Sequence, residues 1–515
     1  MLASRTLLLA APLLLAACVG GGLKTTSGSS AGSGGSGGTS DPGTTSSTGG
    51  GGEIPIDPYP NKPDCDPSIS VQASSSALIV TDPAVLAHFP LEKVLKQLLD
   101  LSAPSALTPL ELLQRLFDTE NTDAGGAFPD VTHCDTMGNK AFANGPPEGC
   151  PRAEGALAHS GGLLTPGDPD AFVPIALVNR FDLTPTNLQT CGEHRIVYAK
   201  QSGRTDPNDR VFLIFEGVLP SPSSGDLFAC YPVAKQWASL EKETDPDVVG
   251  QKLEAIYFTG LPGMKPVIDP QNFGQLSSED NPYGATRGQV RLSQRMQAPW
   301  EMRELHFKAA FGAQDMPHFE PATVKNNPMV SLFGAADAAP AAQFQSAFVL
   351  EDVLPLGVSS TVAGIRMTTH NMFNAGESGL EGPAGPAYLT EAHASGAALL
   401  TAIDKQLIAL EPGLPACDPG DPLTSDAILA RATTQTCAGC HAPSAFLGPA
   451  RKIGCGLVWP DSLGGAHIDE NGKLSPALTD VFLPRRASVL STYLRACDIK
   501  AIQSNLQPSP QPIPD

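Results

Sequence analysis

Eleven cysteines constrain this 515-residue chain more tightly than any other feature, because their number and spacing limit which segments can meet. Residues 1–17 read as an export signal. Arg5 supplies a small positive region, Thr6 to Leu15 an apolar one, and Ala16-Ala17 the small residues before a cleavage point. Export places the chain in an oxidising compartment, where thiols pair. Cys18 follows the cleavage point directly, and Cys437 and Cys440 share the run Cys437-Ala438-Gly439-Cys440-His441. The remaining eight are Cys65, Cys134, Cys150, Cys191, Cys230, Cys417, Cys455 and Cys497, an even number that predicts four disulfides. Short loops favour Cys134–Cys150 and Cys191–Cys230; the other four are left open.

The run Cys437–His441 has the C-x-x-C-H spacing of c-type haem attachment. On one helical turn two thiols reach the two vinyl groups of a porphyrin, and the following imidazole reaches the iron. The motif therefore predicts haem c bound covalently through Cys437 and Cys440, with His441 as proximal ligand. A thioredoxin-like dithiol would need a βαβ context, and a zinc site two more ligands at short spacing. A structural Cys437–Cys440 disulfide beside an incidental histidine is the plainest alternative. For a sixth ligand, no methionine follows the motif, and His467 is the only histidine after His441. His467 is the expected second metal ligand; Met367, His370 and Met372 are alternatives from upstream. Bis-His ligation gives a lower potential than His/Met. An open sixth position would point to oxygen or peroxide chemistry instead.

Leu15-Ala16-Ala17-Cys18 resembles a lipobox, which implies lipidation of Cys18 and cleavage before it. Acyl chains contribute about 0.8 kcal/mol per buried CH₂, so several would anchor the chain to a membrane. Val19 after the cysteine favours the outer membrane or cell surface, after export to the periplasm. Residues 18–53 form a Gly/Ser-rich linker with 14 of the 51 glycines. Such a stretch cannot bury enough apolar surface to order itself, and its reach is about 30–35 Å. The formal charge of −20 argues against a nucleic-acid partner. Membrane contact is expected through the lipid alone, since no apolar run is long enough to span.

Beyond the linker the fold class expected is α+β. A large mixed domain over 54–390 precedes a small, mainly helical cytochrome c-like module over 391–500 and a Pro-rich tail over 501–515. Ser76 to Val80 reads as a strand. Leu91, Val94, Leu95, Leu98 and Leu99 fall at helical spacing, as do Leu110, Leu113, Leu116 and Phe117 behind the N-cap Thr108. Residues 120–170 read as a disulfide-pinned loop. Phe172–Leu183, Arg195–Lys200 and Val211–Val218 read as strands, the last two a hairpin; Gln289–Gln297 and Trp300–Lys308 form a second pair. Trp237–Tyr257 reads as helix broken near Asp245-Pro246. From 391 onward Leu399, Leu400, Ile403, Leu407 and Leu410 mark one helix. Leu423–Thr434 and a helix starting at Pro484 flank the cysteine motif.

Charged residues interrupt the apolar strands at Asn179-Arg180-Phe181-Asp182, Glu193-His194-Arg195, Phe215-Glu216 and Glu301 to His306. They predict either an acid–base site or an ion-pair network. No nucleophile elbow, zinc-protease, P-loop or dinucleotide fingerprint accompanies them.

Taken together, Val178-Asn-Arg-Phe-Asp182, Cys191-Gly-Glu-His-Arg-Ile-Val197, the late C-x-x-C-H and Leu474 to Leu478 resemble a family of exported bacterial proteins over most of 76–497. That resemblance implies no particular activity. The functional expectation is a membrane-anchored monohaem c-type lipoprotein with an electron-transfer or other redox role and a redox partner protein. The competing expectations are a surface-binding or structural lipoprotein with Cys437 and Cys440 as a disulfide, and a haem enzyme with an open distal site.

Overall fold

A computed structural model describes residues 59–507, apart from 60, 103–104, 138–148, 275–287, 310–315, 337–338, 381–384 and 397. The export signal, Cys18, the whole of the linker and residues 508–515 lie outside the described residues. Pro58–Asp515 forms one compact unit.

The frame is an eight-stranded antiparallel sheet. Strands β1 (Ile79–Val80), β2 (Phe172–Arg180), β3 (Thr190–Lys200), β4 (Arg210–Pro220), β5 (Gln289–Arg295), β6 (Glu301–Lys308) and β7 (His318–Ala322) lie side by side in chain order. The short β8 (Glu377–Gly379) also pairs with β6. The expected hairpin is β3–β4 and the expected later pair is β5–β6. With the helices this is a mixed α+β fold. The segment around Ser76 is narrower than its pattern suggested, because only Ile79 and Val80 meet a partner on β2.

Period-two alternation gives the sheet two different faces. Ile196 and Tyr198 on β3, Leu213 and Phe215 on β4, and Val290 and Leu292 on β5 are wholly or almost wholly buried in the largest core. Helices Leu91–Asp100 and Pro109–Asp118 cover that core; Leu95, Leu98, Leu113 and Phe117 enter it. The second helix begins as its sequence requires. Thr108 accepts the backbone N–H of Glu111, and Pro109 occupies the first turn, where no donor is needed. Residues of the same strands one step along carry charge to the other face, where the functional site lies.

Contacts cross residue 390 throughout. Helix Leu483–Arg495 buries Val489, Leu490, Tyr493 and Leu494 in the sheet core, and the Tyr493 hydroxyl donates to the Leu227 carbonyl at 3.0 Å. The buried Arg431, on helix Ser425–Thr434, donates to the carbonyls of Leu356 (2.8 Å) and Ile453 (2.9 Å). Cys65–Cys497 ties one end of the compact unit to the other. The described part of the Pro-rich tail is structured. Ile499–Asn505 is helical, and the Gln507 backbone exchanges two hydrogen bonds of 2.8 Å with Thr184 and Thr186.

All four disulfides form: Cys65–Cys497, Cys134–Cys150, Cys191–Cys230 and Cys417–Cys455. Cys437 and Cys440 are free.

Part of the charge written into β6 is structural. Glu301 and Arg303 point away from the site into a buried network with Arg152, Glu154 and Glu120. Arg152 spans Glu154 and Glu301, each at 3.2 Å, and also donates to the carbonyls of Gln297 and Pro299. Removing one partner strands the others in a medium that solvates them poorly. Arg152→Ala is expected to cost about 3–5 kcal/mol, read as a lowered denaturant midpoint with an unchanged m-value.

Candidate functional site

The C-x-x-C-H run forms its own short helix, Cys437–His441, immediately after Ser425–Thr434. Thr436 caps it, its hydroxyl accepting the Gly439 N–H at 3.0 Å. The Ala438 N–H donates to Ser378 on β8 at 3.0 Å, fixing the turn to the sheet edge. The glycine is needed for space: a Cβ on Gly439 would lie 1.9 Å from the Thr433 carbonyl oxygen. Trp300, Met302, Val324, Cys437 and Ala438 form a small apolar cluster that seats the motif on β6.

Each motif side chain has a defined neighbour. The Cys437 sulfur lies 3.6 Å from Arg291 Nη1, and the Cys440 sulfur 3.2 Å from His467 Nε2. His441 Nδ1 is 2.8 Å from the Gly465 carbonyl, which can only accept, so Nδ1 carries the hydrogen. Its Nε2 is thereby left as the lone-pair nitrogen, the arrangement found in metal-ligating histidines. Gly465 itself requires glycine, since its φ is +90° and a Cβ would lie 3.2 Å from Trp300. Trp300 stacks on the His441 ring at 5.5 Å and 24°.

Burial controls the protonation of these groups. It pulls His441 down to about 4, despite the Gly465 hydrogen bond, and holds His467 well below the usual histidine range, so both rings are neutral at pH 7. It pushes Cys440 up to about 12 and raises Cys437 as well, against the pull of Arg291. Both sulfurs are therefore thiols, not thiolates. Among the described residues no group of three or more His, Cys, Asp and Glu side chains is placed to hold a metal ion.

The motif opens into a cavity of about 930 Å³, near the upper end of the ~300–1,000 Å³ usual for cofactor and ligand sites. Cys437, Cys440, His441 and His467 line one side. The charged face of β2–β5 lines another, and the register explains its order. Arg195 faces Glu216 across β3–β4, Glu216 faces Gln289 across β4–β5, and Arg291 faces Glu304 across β5–β6. Glu216 takes Arg195 at 2.8 Å and Arg291 at 3.2 Å; Glu304 takes Arg291 at 3.5 Å. Burial raises the Glu193 carboxyl, but Arg195, Lys325 and Arg180 outweigh it and hold it near about 2. Of the interrupting charges, Arg180, Asp182, Glu193, Arg195 and Glu216 thus form ion pairs in the cavity wall, whereas Glu301 and Arg303 belong to the network on the opposite face. His194 is turned into the core, where its Nδ1 accepts the Trp237 N–H at 3.1 Å.

The expected sixth-ligand candidates separate cleanly. His467 lies beside His441, with ring centroids 4.5 Å apart, so the two rings touch and leave no space for a porphyrin between them. Its Nδ1 meets Ser475 at 3.1 Å. Met367 is buried and lines the cavity. His370 is turned to Glu351 at 3.3 Å, and Met372 is 59% exposed.

Asp352 was not visible as a site residue in the sequence. It ends the π-helical turn Phe348–Asp352, lines the cavity and accepts the Thr368 N–H at 2.8 Å. Such turns recur at functional sites. Burial, reinforced by Glu351, raises its carboxyl to about 8. An acid raised in this way binds its proton in the folded chain but releases it near pH 4 when unfolded. Stability therefore falls as pH rises from about 4 to about 8. Asp352→Asn is expected to raise Tm at pH 8 and leave it unchanged at pH 4, by thermal melts across that range. No protein-family model, curated protein or solved structure matches the chain.

Proposed function

We propose that this chain is an exported, lipid-anchored monohaem c-type protein with a redox role. Cys437 and Cys440 would hold the haem by thioethers and His441 would bind its iron. The observation that carries the reading is the state of the cysteines. Eight are paired, while the two in the motif remain thiols lining a large cavity, beside a histidine whose Nε2 is free to ligate. The donor set fits haem better than zinc, because a zinc site would need thiolates and further ligands. Bound there, haem supplies one-electron exchange.

The chain's own groups define what surrounds that chemistry. Gly465 accepts the His441 Nδ1 hydrogen and Trp300 stacks on its ring, which fixes the tautomer and the ring's orientation. Trp459, Phe482 and Ile214 contribute apolar wall, which lowers the local dielectric. The contact between His441 and His467 favours a second reading within the first, in which His441 alone of the two would hold the iron. Bis-His ligation would require the Gly464-Gly465 turn to shift. Cys18 would hold the body at a membrane, with residues 19–53 as tether.

Expression in a host with cytochrome c maturation tests the reading. One haem per chain should survive acid–acetone extraction, with reduced bands of a c-type centre, and Cys437→Ala/Cys440→Ala should lose it. Carbon monoxide should shift the reduced spectrum if the sixth position exchanges, and leave it unchanged if His467 is a firm ligand. Chains that carry no covalent haem despite maturation would overturn the assignment. Cys18→Ser is expected to move the protein from the membrane to the soluble fraction, measured by blotting of fractionated cells.

A further inference from the structure

Seven cationic side chains line the cavity against five carboxylic ones, in a chain whose formal charge is −20. The surplus is local. Arg291 and Arg195 are matched by Glu216, Glu304 and Glu193. Arg180, Arg366 and Arg486 instead gather around one carboxylate, Asp182, with Arg485 beside Arg366. Arg180 claims it with two hydrogen bonds, of 2.9 and 3.0 Å. Burial raises the Asp182 carboxyl, but Arg180, Arg486 and Arg366 outweigh it and hold it below the ordinary carboxylate range.

Arg486 is left over. Its side chain is only 9% exposed, its nearest carboxylate oxygen is 3.8 Å away on Asp182, and it makes no hydrogen bond among the described residues. Burial and the neighbouring Arg180 pull it down to about 9, so it remains a cation at pH 7. Arg366 is fixed by Gln507 (2.7 Å) and by the carbonyls of Ala363 and Ile365, both 2.8 Å, through Nε and Nη1 only. A buried guanidinium that shares its one distant carboxylate with another arginine and donates no hydrogen bond is costly, and arginine forks match planar oxyanions. The adjoining wall is apolar, with Leu478, Phe482 and Ile365.

We propose that this end of the cavity is a carboxylate-binding site for an organic acid with an apolar body, Arg486 being the main contact and Arg485 and Arg366 its neighbours. Two sources share that chemistry: the propionates of the haem inferred above, in which case the site rests on that reading, or a separate amphipathic acid. Asp182 acts here as a spacer that fixes Arg180 and leaves Arg486 available.

The test uses the full-length chain and two probes. Laurate binding is measured by equilibrium dialysis on haem-loaded protein and on Cys437→Ala/Cys440→Ala. Haemin and its dimethyl ester are compared on the latter. If a separate acid is the ligand, the loaded chain binds laurate, and Arg486→Gln weakens it by about tenfold or more. If propionates fill the site, the loaded chain refuses laurate. The double variant then prefers haemin to its ester, and adding Arg486→Gln removes the preference. Should Arg486→Gln misfold by circular dichroism, Arg485→Gln is read in its place. No laurate binding by either chain, together with equal affinity for haemin and its ester, overturns the proposal. If no covalent haem forms at all, laurate binding to the chain as purified still decides the site independently.

Discussion

The guanidinium of Arg291 is the contact on which the arrangement depends. It stands on β5 between Glu216 and Glu304 and reaches the Cys437 sulfur. One side chain thus joins the charged face of the sheet to the cysteine motif. Without a covering layer that face would put buried carboxylates and guanidiniums against water on one side and a hydrocarbon core on the other. Pairing across strands neutralises most of it, and the later part of the chain folds over it to enclose the cavity. The cost of burying ions is met by close partners, whereas the sheet's opposite face is held by ordinary apolar burial, roughly 1.5–3 kcal/mol per large side chain.

Two kinds of buried charge therefore coexist and do different work. Around Arg152, Glu154, Glu301, Arg303 and Glu120 the ions face one another inside the protein and serve the fold. Around Asp182 they face a cavity and remain in cationic excess. The first is closed in the sense that its members find partners in the chain; the second is open, with Arg486 lacking a hydrogen bond. Alternate residues of β6 point to opposite faces: Glu301 and Arg303 to the first network, Glu304 to Arg291 in the matched set of ions beside the second.

Much of the local structure was legible in residue order. Thr108 caps the helix its position announced, and the β3–β4 and β5–β6 pairs follow from alternating runs and the turns between them. The cysteine count was sound because pairing is combinatorial: eight leftover cysteines can close as four bonds, and they do. Which distant cysteines pair was illegible, since Cys65 and Cys497 are 432 residues apart and meet only through the packed body. Asp352 gave no signal either; a single aspartate in a short helix becomes unusual only when its surroundings are dry.

The sequence by itself determined the cysteine motif, the glycine and histidine within it, and the alternation that gives the sheet one charged and one apolar face. These are short-range properties, set by spacing along the backbone. Tertiary structure alone decided that the charged face and the motif would line one cavity. It also decided that Met367 would reach that cavity while His370 and Met372 would not, and that Arg486 would be buried short of an anion. Those outcomes depend on how segments hundreds of residues apart pack against each other, and pattern along the chain carries no record of which side chains then share a wall.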